Sequence, residues 1–245
     1  MLSESERFRY QRQLIVTDWD QEKLKCSTVL VAGTGGLGGV IAQYLAAAGV
    51  GTLRLLDDDS VDLSNLNRQI LFRTDDIGKP KSILACERLA ALNPEIKIEA
   101  LVERLTEGSA SRIAAGCDVI VDGFDNQPGR FLLNSIASRM HIPYIYGAVD
   151  EWHGQASFFY PPATPCLACL VRETTPTTRK IPVFGAVPGV IGSLEAAMTI
   201  RYLMTGETPL AGQLLIFQSD TMSFDVLCFE KNPTCQVCGA KARAK

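Results

Sequence analysis

Gly33-Thr34-Gly35-Gly36-Leu37-Gly38-Gly39 follows an unbroken apolar run, Thr28 to Ala32, and leads into an alanine-rich segment, Leu37 to Ala48. An apolar run without alternation suits a strand buried on both faces. Leu37 to Ala48 reads as a helix that stops at Gly49, and Thr52 to Leu56 reads as the next strand. Together they make a βαβ unit. The pattern Gly33-x-Gly35-x-x-Gly38 therefore sits where a strand gives way to a helix, which is the context a dinucleotide fingerprint requires. Gly33 permits the tight turn, Gly35 lets backbone approach a phosphate, and Gly38 lets the helix pack on the strand. The helix start offers free N–H groups to an anion. Asp57, at the end of the second strand, is placed to bond a ribose hydroxyl.

The alternation continues outward from this unit. Pro80 to Leu92 reads as a helix stopped by Asn93 and Pro94, and Ile96 to Val102 as a strand. Val119 to Asp122 is a strand, Phe131 to Met140 a helix, and Tyr144 to Tyr146 a strand. This predicts an α/β fold: a Rossmann-like, mostly parallel sheet with helices on both faces. After Gly147 the texture changes, and Gln155 to Tyr160, Gln213 to Phe217 and Ser223 to Phe229 read as antiparallel strands. Arg172 to Pro188 is expected to be a flexible loop, followed by a helix from Gly189 to Met204. At the other end, Ser3 to Gln13 is expected to be one helix with Arg9 and Arg12 on a shared face. A single domain over 1–245 is expected, with a nucleotide-binding half over 1–147, a second half over 148–239 and a flexible tail over 240–245.

Bulk properties exclude several classes. The 245 residues carry a net charge of −3, which gives no general reason to expect nucleic acid. The most apolar region, Val29 to Leu56, is broken by glycines, Gln43 and Arg54, so no membrane span is expected. The polar start, Ser3 to Arg7, is unlike a signal peptide, and a cytoplasmic location is the expectation. Eight cysteines in a chain this long do not suggest a disulfide scaffold. Cys26, Cys86, Cys117 and Cys228 stand alone in apolar contexts and read as buried, inert thiols. With two histidines, His141 and His153, mechanisms built on a catalytic imidazole are poorly supplied.

The glycine turn alone admits an NAD-dependent oxidoreductase as readily as an ATP-using enzyme. Three features favour ATP. Asn65, Arg68, Gln69 and Lys81 form a polar and cationic set soon after the ribose acid. Asp125 and Asn126 follow the strand ending at Asp122, so they too fall at the carboxyl edge of the sheet. No tyrosine–lysine or histidine set is evident for hydride chemistry.

Cys166-x-x-Cys169 and Cys235-x-x-Cys238 form a second strong signal. Each pair is flanked by turn residues, with Pro165 before one and Pro233 and Gly239 around the other. Four thiolates on two such knuckles have the chemistry of a closed, structural Zn2+ site. That site would tie the end of the chain back to its middle.

Taken with Arg9 to Gln13, Leu56 to Asp59, Ser64 to Gln69, Lys79 to Lys81 and Gly189 to Gly192, these motifs resemble the ubiquitin-activating-type (E1-like) ThiF/MoeB/HesA adenylyltransferases over almost the whole chain. The resemblance implies MgATP-dependent activation of the C-terminal glycine of a small ubiquitin-like sulfur carrier, ThiS-like or MoaD-like. Pyrophosphate leaves, and thiocarboxylate formation follows. It implies that Gly36 touches the phosphates, Asp57 holds the ribose, and Asn65, Arg68, Gln69 and Lys81 bind the triphosphate. It implies that Asp125 supports Mg2+ near the α-phosphate, that the second half binds the carrier, and that Arg12 reaches across a homodimer interface. A catalytic set of Asp125, Arg68, Lys81 and Arg12 follows. The same chemistry on a peptide C-terminus stands as an alternative.

Such chemistry suits a site without histidine, because a carboxylate nucleophile is already ionised at neutral pH. Cations, a metal and positioning supply the rest. One departure from the family is the absence of cysteine between Arg172 and Pro188. No covalent carrier adduct is expected on that loop. With no rhodanese segment after Cys238, a separate sulfur donor is expected. Arg172, Arg179 and Lys180 read equally as solvated charges and as a guide for the carrier's acidic surface.

Overall fold

The computed structural model describes residues 1–172 and 182–239. In chain order its elements are α1 (Glu4–Arg9), α2 (Gln21–Cys26), β1 (Thr28–Ala32), α3 (Gly36–Ala48), β2 (Thr52–Leu56), α4 (Lys81–Leu92), β3 (Lys97–Leu101), α5 (Glu107–Ala114), β4 (Val119–Asp122), α6 (Gln127–Met140), β5 (Tyr144–Asp150), β6 (His153–Phe159), α7 (Leu167–Leu170), α8 (Ala186–Thr205), β7 (Gln213–Gln218) and β8 (Ser223–Cys228).

The strands form one eight-stranded sheet in the order β3-β2-β1-β4-β5-β6-β7-β8. Pairings from β3 to β5 are parallel, and those from β5 to β8 are antiparallel. The mixed α/β class with C-terminal antiparallel strands is thus as expected. Val29, Leu30, Val31 and Ala32 are all fully buried, as a central strand with helices on both faces demands. Alternation sends Val29 and Val31 into the core beneath α3, α4 and α8, and Leu30 and Ala32 into the core beneath α5 and α6.

Several local expectations are corrected. The N-terminal helix ends at Arg9, not Gln13, so Arg9 and Arg12 do not share a helix face. Tyr10 turns the chain inward: it is buried, and its hydroxyl accepts from Asn93 Nδ2 at 2.8 Å. α2, α5 and α7 were not expected. α6 begins at Gln127, four residues before Phe131, because Asn126 caps Gly129 N–H at 2.9 Å and Pro128 is tolerated in a first turn. The expected loop is shorter than Arg172 to Pro188: Val183 bridges Glu151, and Ala186 to Pro188 open α8. Its residues 173–181 and the expected tail at 240–245 lie outside the described residues. Of the lone cysteines, Cys117 is buried, Cys86 half-buried, and Cys26 and Cys228 are exposed. Cys26 closes a short surface helix and Cys228 sits on the edge strand, so neither position is covered by a second layer.

Candidate active site

β2 and β4 pair with opposite sides of β1, so the order of strands reverses at β1. Ligands of open α/β sheets bind beyond the carboxyl ends at such a point. Here the turns after β1, β2 and β4 meet. Gly33 N–H bonds the Leu56 carbonyl and Gly123 N–H the Ala32 carbonyl, both at 2.7 Å.

Three glycines let these backbones touch. Gly33 has φ +90°, a left-handed conformation. A Cβ on Gly38 would lie 1.8 Å from the Gly33 carbonyl oxygen, and one on Gly123 would lie 2.6 Å from the same atom. The requirement at Gly36 differs. Its φ is not positive, and among the described residues its Cβ would meet nothing nearer than Pro188 Cβ at 3.4 Å. The protein itself has room for a side chain there. α3 starts at Gly36 without a side-chain cap or a first-turn acid, so its amide end faces the crevice uncompensated.

Asp57 lies where the sequence placed it, with bonds that sequence reading missed. Its Oδ2 accepts from Thr34 N–H at 2.7 Å and Thr34 Oγ1 at 2.9 Å, and its Oδ1 accepts from Asp59 N–H at 2.9 Å. The carboxylate therefore locks the glycine turn to the end of β2. Burial pushes its pKa above the ordinary aspartate value, against the pull of those N–H groups and Lys81. Lys81, the first residue of α4, is buried and holds Asp59 Oδ2 at 2.9 Å.

Asn65 closes a 3-10 turn over Leu63–Asn65, with its Oδ1 accepting from Asp62 N–H at 3.1 Å. The next turn presents Arg68 and Gln69. Arg68 Nη1 donates to Ser64 O and Asn67 Oδ1, both at 3.0 Å, and among the described residues it makes no ion pair. Gln69 is 5% exposed, yet its Oε1 has no partner among the described residues, and its Nε2 is 3.3 Å from where a Gly35 Cβ would be. A buried amide without a partner beside a glycine cradle fits a site built for a polar ligand.

Asp125 is exposed on the turn after β4. It stands apart from the acids Asp57, Asp58 and Asp59, which cluster closely enough to share an ion. Arg12 is exposed on the turns after α1. The structure therefore gathers Gly33, Gly35, Gly36, Asp57, Arg68, Gln69 and Lys81 around one crevice, with Asp125 on a separate turn at the same sheet edge.

Beneath that edge lies a buried polar network absent from the sequence reading. Asp122 Oδ1 accepts from Phe124 N–H at 3.0 Å, and its Oδ2 accepts from the Tyr144 hydroxyl and lies 3.6 Å from Arg130 Nε. Burial pushes Asp122 up to about 6 despite Arg130. Its detectable signal was a charged residue closing a buried apolar strand.

The four paired cysteines converge. Cys166 Sγ lies 4.0 Å from Cys169 Sγ and 3.6 Å from Cys235 Sγ, and Cys169 Sγ lies 3.5 Å from Cys238 Sγ. Sulfurs about 2.3 Å from one tetrahedral metal stand about 3.8 Å apart, so these residues fit a single zinc ion. Asn134 Nδ2 and Asn232 N–H point at Cys166 and Cys169, as outer partners of metal thiolates do.

The chain is similar to known proteins in sequence and in fold. The ThiF family profile matches residues 10–237. The sulfur carrier protein adenylyltransferase of Thermus thermophilus is 41% identical over 244 residues, covering 94% of this chain and 90% of that protein. The sulfur carrier protein ThiS adenylyltransferase of Escherichia coli is 40% identical over 245 residues, covering 97% of each. The crystal structure of Escherichia coli MccB with MccA-N7isoASN superposes with a TM-score of 0.86 at 25% identity, over 95% of this chain and 74% of that one.

Proposed function

The chain belongs to the ThiF family, and on that premise we propose that it adenylates the C-terminal glycine carboxylate of a ThiS-like or MoaD-like sulfur carrier protein. The observation that carries this is the meeting of turns beyond β1: a glycine cradle, the buried Gln69 whose Oε1 has no partner among the described residues, the exposed cation Arg68 and the buried cation Lys81.

In this reading a carrier carboxylate oxygen attacks the α-phosphorus of ATP. The bond from that phosphorus to the pyrophosphate oxygen breaks, leaving acyl-adenylate and pyrophosphate. The nucleophile carries its charge already, so no residue has to remove a proton. Gly35, Gly36 and the α3 amides receive phosphate oxygens, and Asp57 accepts from the ribose through the capacity that Thr34 and Asp59 leave on its carboxylate. Arg68 and Lys81 stabilise the charge that builds on pyrophosphate. Asn65 shapes the turn that aims Arg68 and Gln69. Asp125 would hold Mg2+, which supplies neutralisation of the triphosphate charge.

Arg12 completes the site across a homodimer. Support comes from its own segment, where Phe8, Ile15 and Val16 are 75%, 78% and 53% exposed. Apolar groups so exposed around one cation suit a covered face. Cys166, Cys169, Cys235 and Cys238 hold structural zinc. Without a cysteine between Arg172 and Pro188, sulfur arrives from a separate donor protein. No helix among the described residues is long and apolar enough to cross a membrane.

ATP–pyrophosphate exchange with purified protein tests this, using ThiS-like and MoaD-like carriers with and without the final glycine. Exchange that needs one carrier's intact terminus, and is lost in Asp125→Ala, is the expected result. No exchange with either carrier would overturn the carrier assignment and move the reading to a peptide terminus.

A further inference from the structure

α6 carries Arg130, Asn134 and Ser138 at four-residue spacing, on one side of the helix. Each has a partner off the helix. Arg130 Nη2 donates to the Phe124 carbonyl at 2.7 Å. Asn134 accepts from Leu167 N–H at 2.9 Å and donates to Cys166 Sγ at 3.8 Å. The Ser138 hydroxyl donates to the Val237 carbonyl at 3.5 Å. Leu167 follows Cys166, and Val237 precedes Cys238, so Asn134 grips one cysteine knuckle and Ser138 the other.

The far end of this stripe reaches the crevice. Phe124, the residue before Asp125, is held at both backbone atoms: Asp122 takes its N–H and Arg130 its carbonyl. The buried neighbours Leu133, Ile136 and Ala137 pack α6 by apolar contact alone. Asn134 is 1% exposed and buries an amide instead. Both ends of that amide are bonded, which gives a directional contact that a leucine there would lack.

We infer that Asn134 is a positioning residue for the nucleotide chemistry: it fixes α6 against the cysteine knuckles, and so sets where Arg130 holds the turn that presents Asp125. This rests on the reading above, in which Asp125 serves MgATP and the four thiolates hold zinc. If one helix couples the two sites, MgATP changes zinc affinity by the same factor as zinc changes MgATP affinity, and since ordered knuckles hold the turn that presents Asp125, that factor is expected to favour binding. Leu167 and Val237 move with the knuckles, and α6 is the element that carries their position to Arg130, about 6 Å from Asn134 and about 12 Å from Ser138 at roughly 1.5 Å rise per residue.

The test measures zinc affinity of the full chain by chelator competition, with and without MgATP, in wild type, Asn134→Ala and Ser138→Ala. Wild type should hold zinc roughly five- to tenfold more tightly with MgATP bound. In Asn134→Ala the protein should still bind zinc, but the effect of MgATP should fall below about twofold, with Ser138→Ala in between. Coupling through global unfolding alone would persist in Asn134→Ala, and that outcome overturns the inference. So does a wild-type zinc affinity indifferent to MgATP. Should Asn134→Ala fail to fold, unchanged coupling in Ser138→Ala overturns it equally. Wild-type protein that binds no MgATP at all in parallel calorimetry overturns the functional reading instead.

Discussion

The carboxyl group of Glu195 fills the place of a side chain at Gly147: a Cβ on residue 147 would lie 2.2 Å from Glu195 Oε2. Glu195 sits on α8, fully buried, and neither of its oxygens has a hydrogen-bond partner among the described residues. Burial pushes its pKa well above the carboxylate range, and the nearby Asp122 adds to this. The neutral acid is therefore the form the fold accommodates. A group whose pKa is raised on folding binds its proton more tightly in the native state, so stability falls as pH rises above the unfolded value of about 4.3. Asp122, raised to about 6, acts with the same sign.

Glu195→Gln should flatten that dependence. The amide matches the neutral acid in shape and cannot ionise. Melting temperatures across pH 5 to 8 should show wild type losing stability toward the alkaline end, with the variant the more stable of the two at pH 8. A variant less stable than wild type throughout that range would refute a neutral Glu195.

Gly38→Ala and Gly36→Ala should separate folding from binding. At residue 38 the new methyl would meet the Gly33 carbonyl at 1.8 Å, so the cost in urea melts should be about 3 kcal/mol or more. At residue 36 the nearest atom is 3.4 Å away, and stability should change by less than about 0.5 kcal/mol. Calorimetry should nonetheless show weaker ATP binding in Gly36→Ala. Unchanged affinity there would remove the phosphates from that side of the turn.

Arg68→Ala should keep its fold, since among the described residues the side chain bonds only oxygens of its own turn. Pyrophosphate exchange should fall by roughly 10²- to 10³-fold, the scale of losing one donor to developing charge. A loss of less than about threefold would place Arg68 outside the reacting centre.

The double variant Cys166→Ser with Cys235→Ser removes one ligand from each knuckle. Elemental analysis should find about one zinc per wild-type chain and almost none in the variant, with a lower melting temperature. Undiminished zinc in the variant would refute the four-cysteine site.

Local patterns made much of this protein legible in advance. The strand–glycine–helix unit, the acid at the end of β2 and the paired cysteines are all short-range features. Backbone geometry there is set within a few residues, so Gly33, Asp57 and the Cys-x-x-Cys turns stand where their spacing placed them. The N-terminal helix was overextended because Tyr10 leaves it for a partner, Asn93, far along the chain. The start of α6 is not legible from the apolar pattern, because Asn126 caps the helix so that it begins at Gln127, four residues before the first apolar position of α6, Phe131.

By itself, then, the sequence determined the fold class, the glycine cradle and the two Cys-x-x-Cys turns, because each depends on periodicity or on spacing within one turn. Only the tertiary structure decided that Thr34 satisfies Asp57, that the Glu195 carboxyl packs against Gly147, and that Arg130, Asn134 and Ser138 join the turn after β4 to the cysteine knuckles. These contacts link residues that the chain holds apart. Their energies come from burial and hydrogen-bond satisfaction, which exist only once the sheet and its helices have closed.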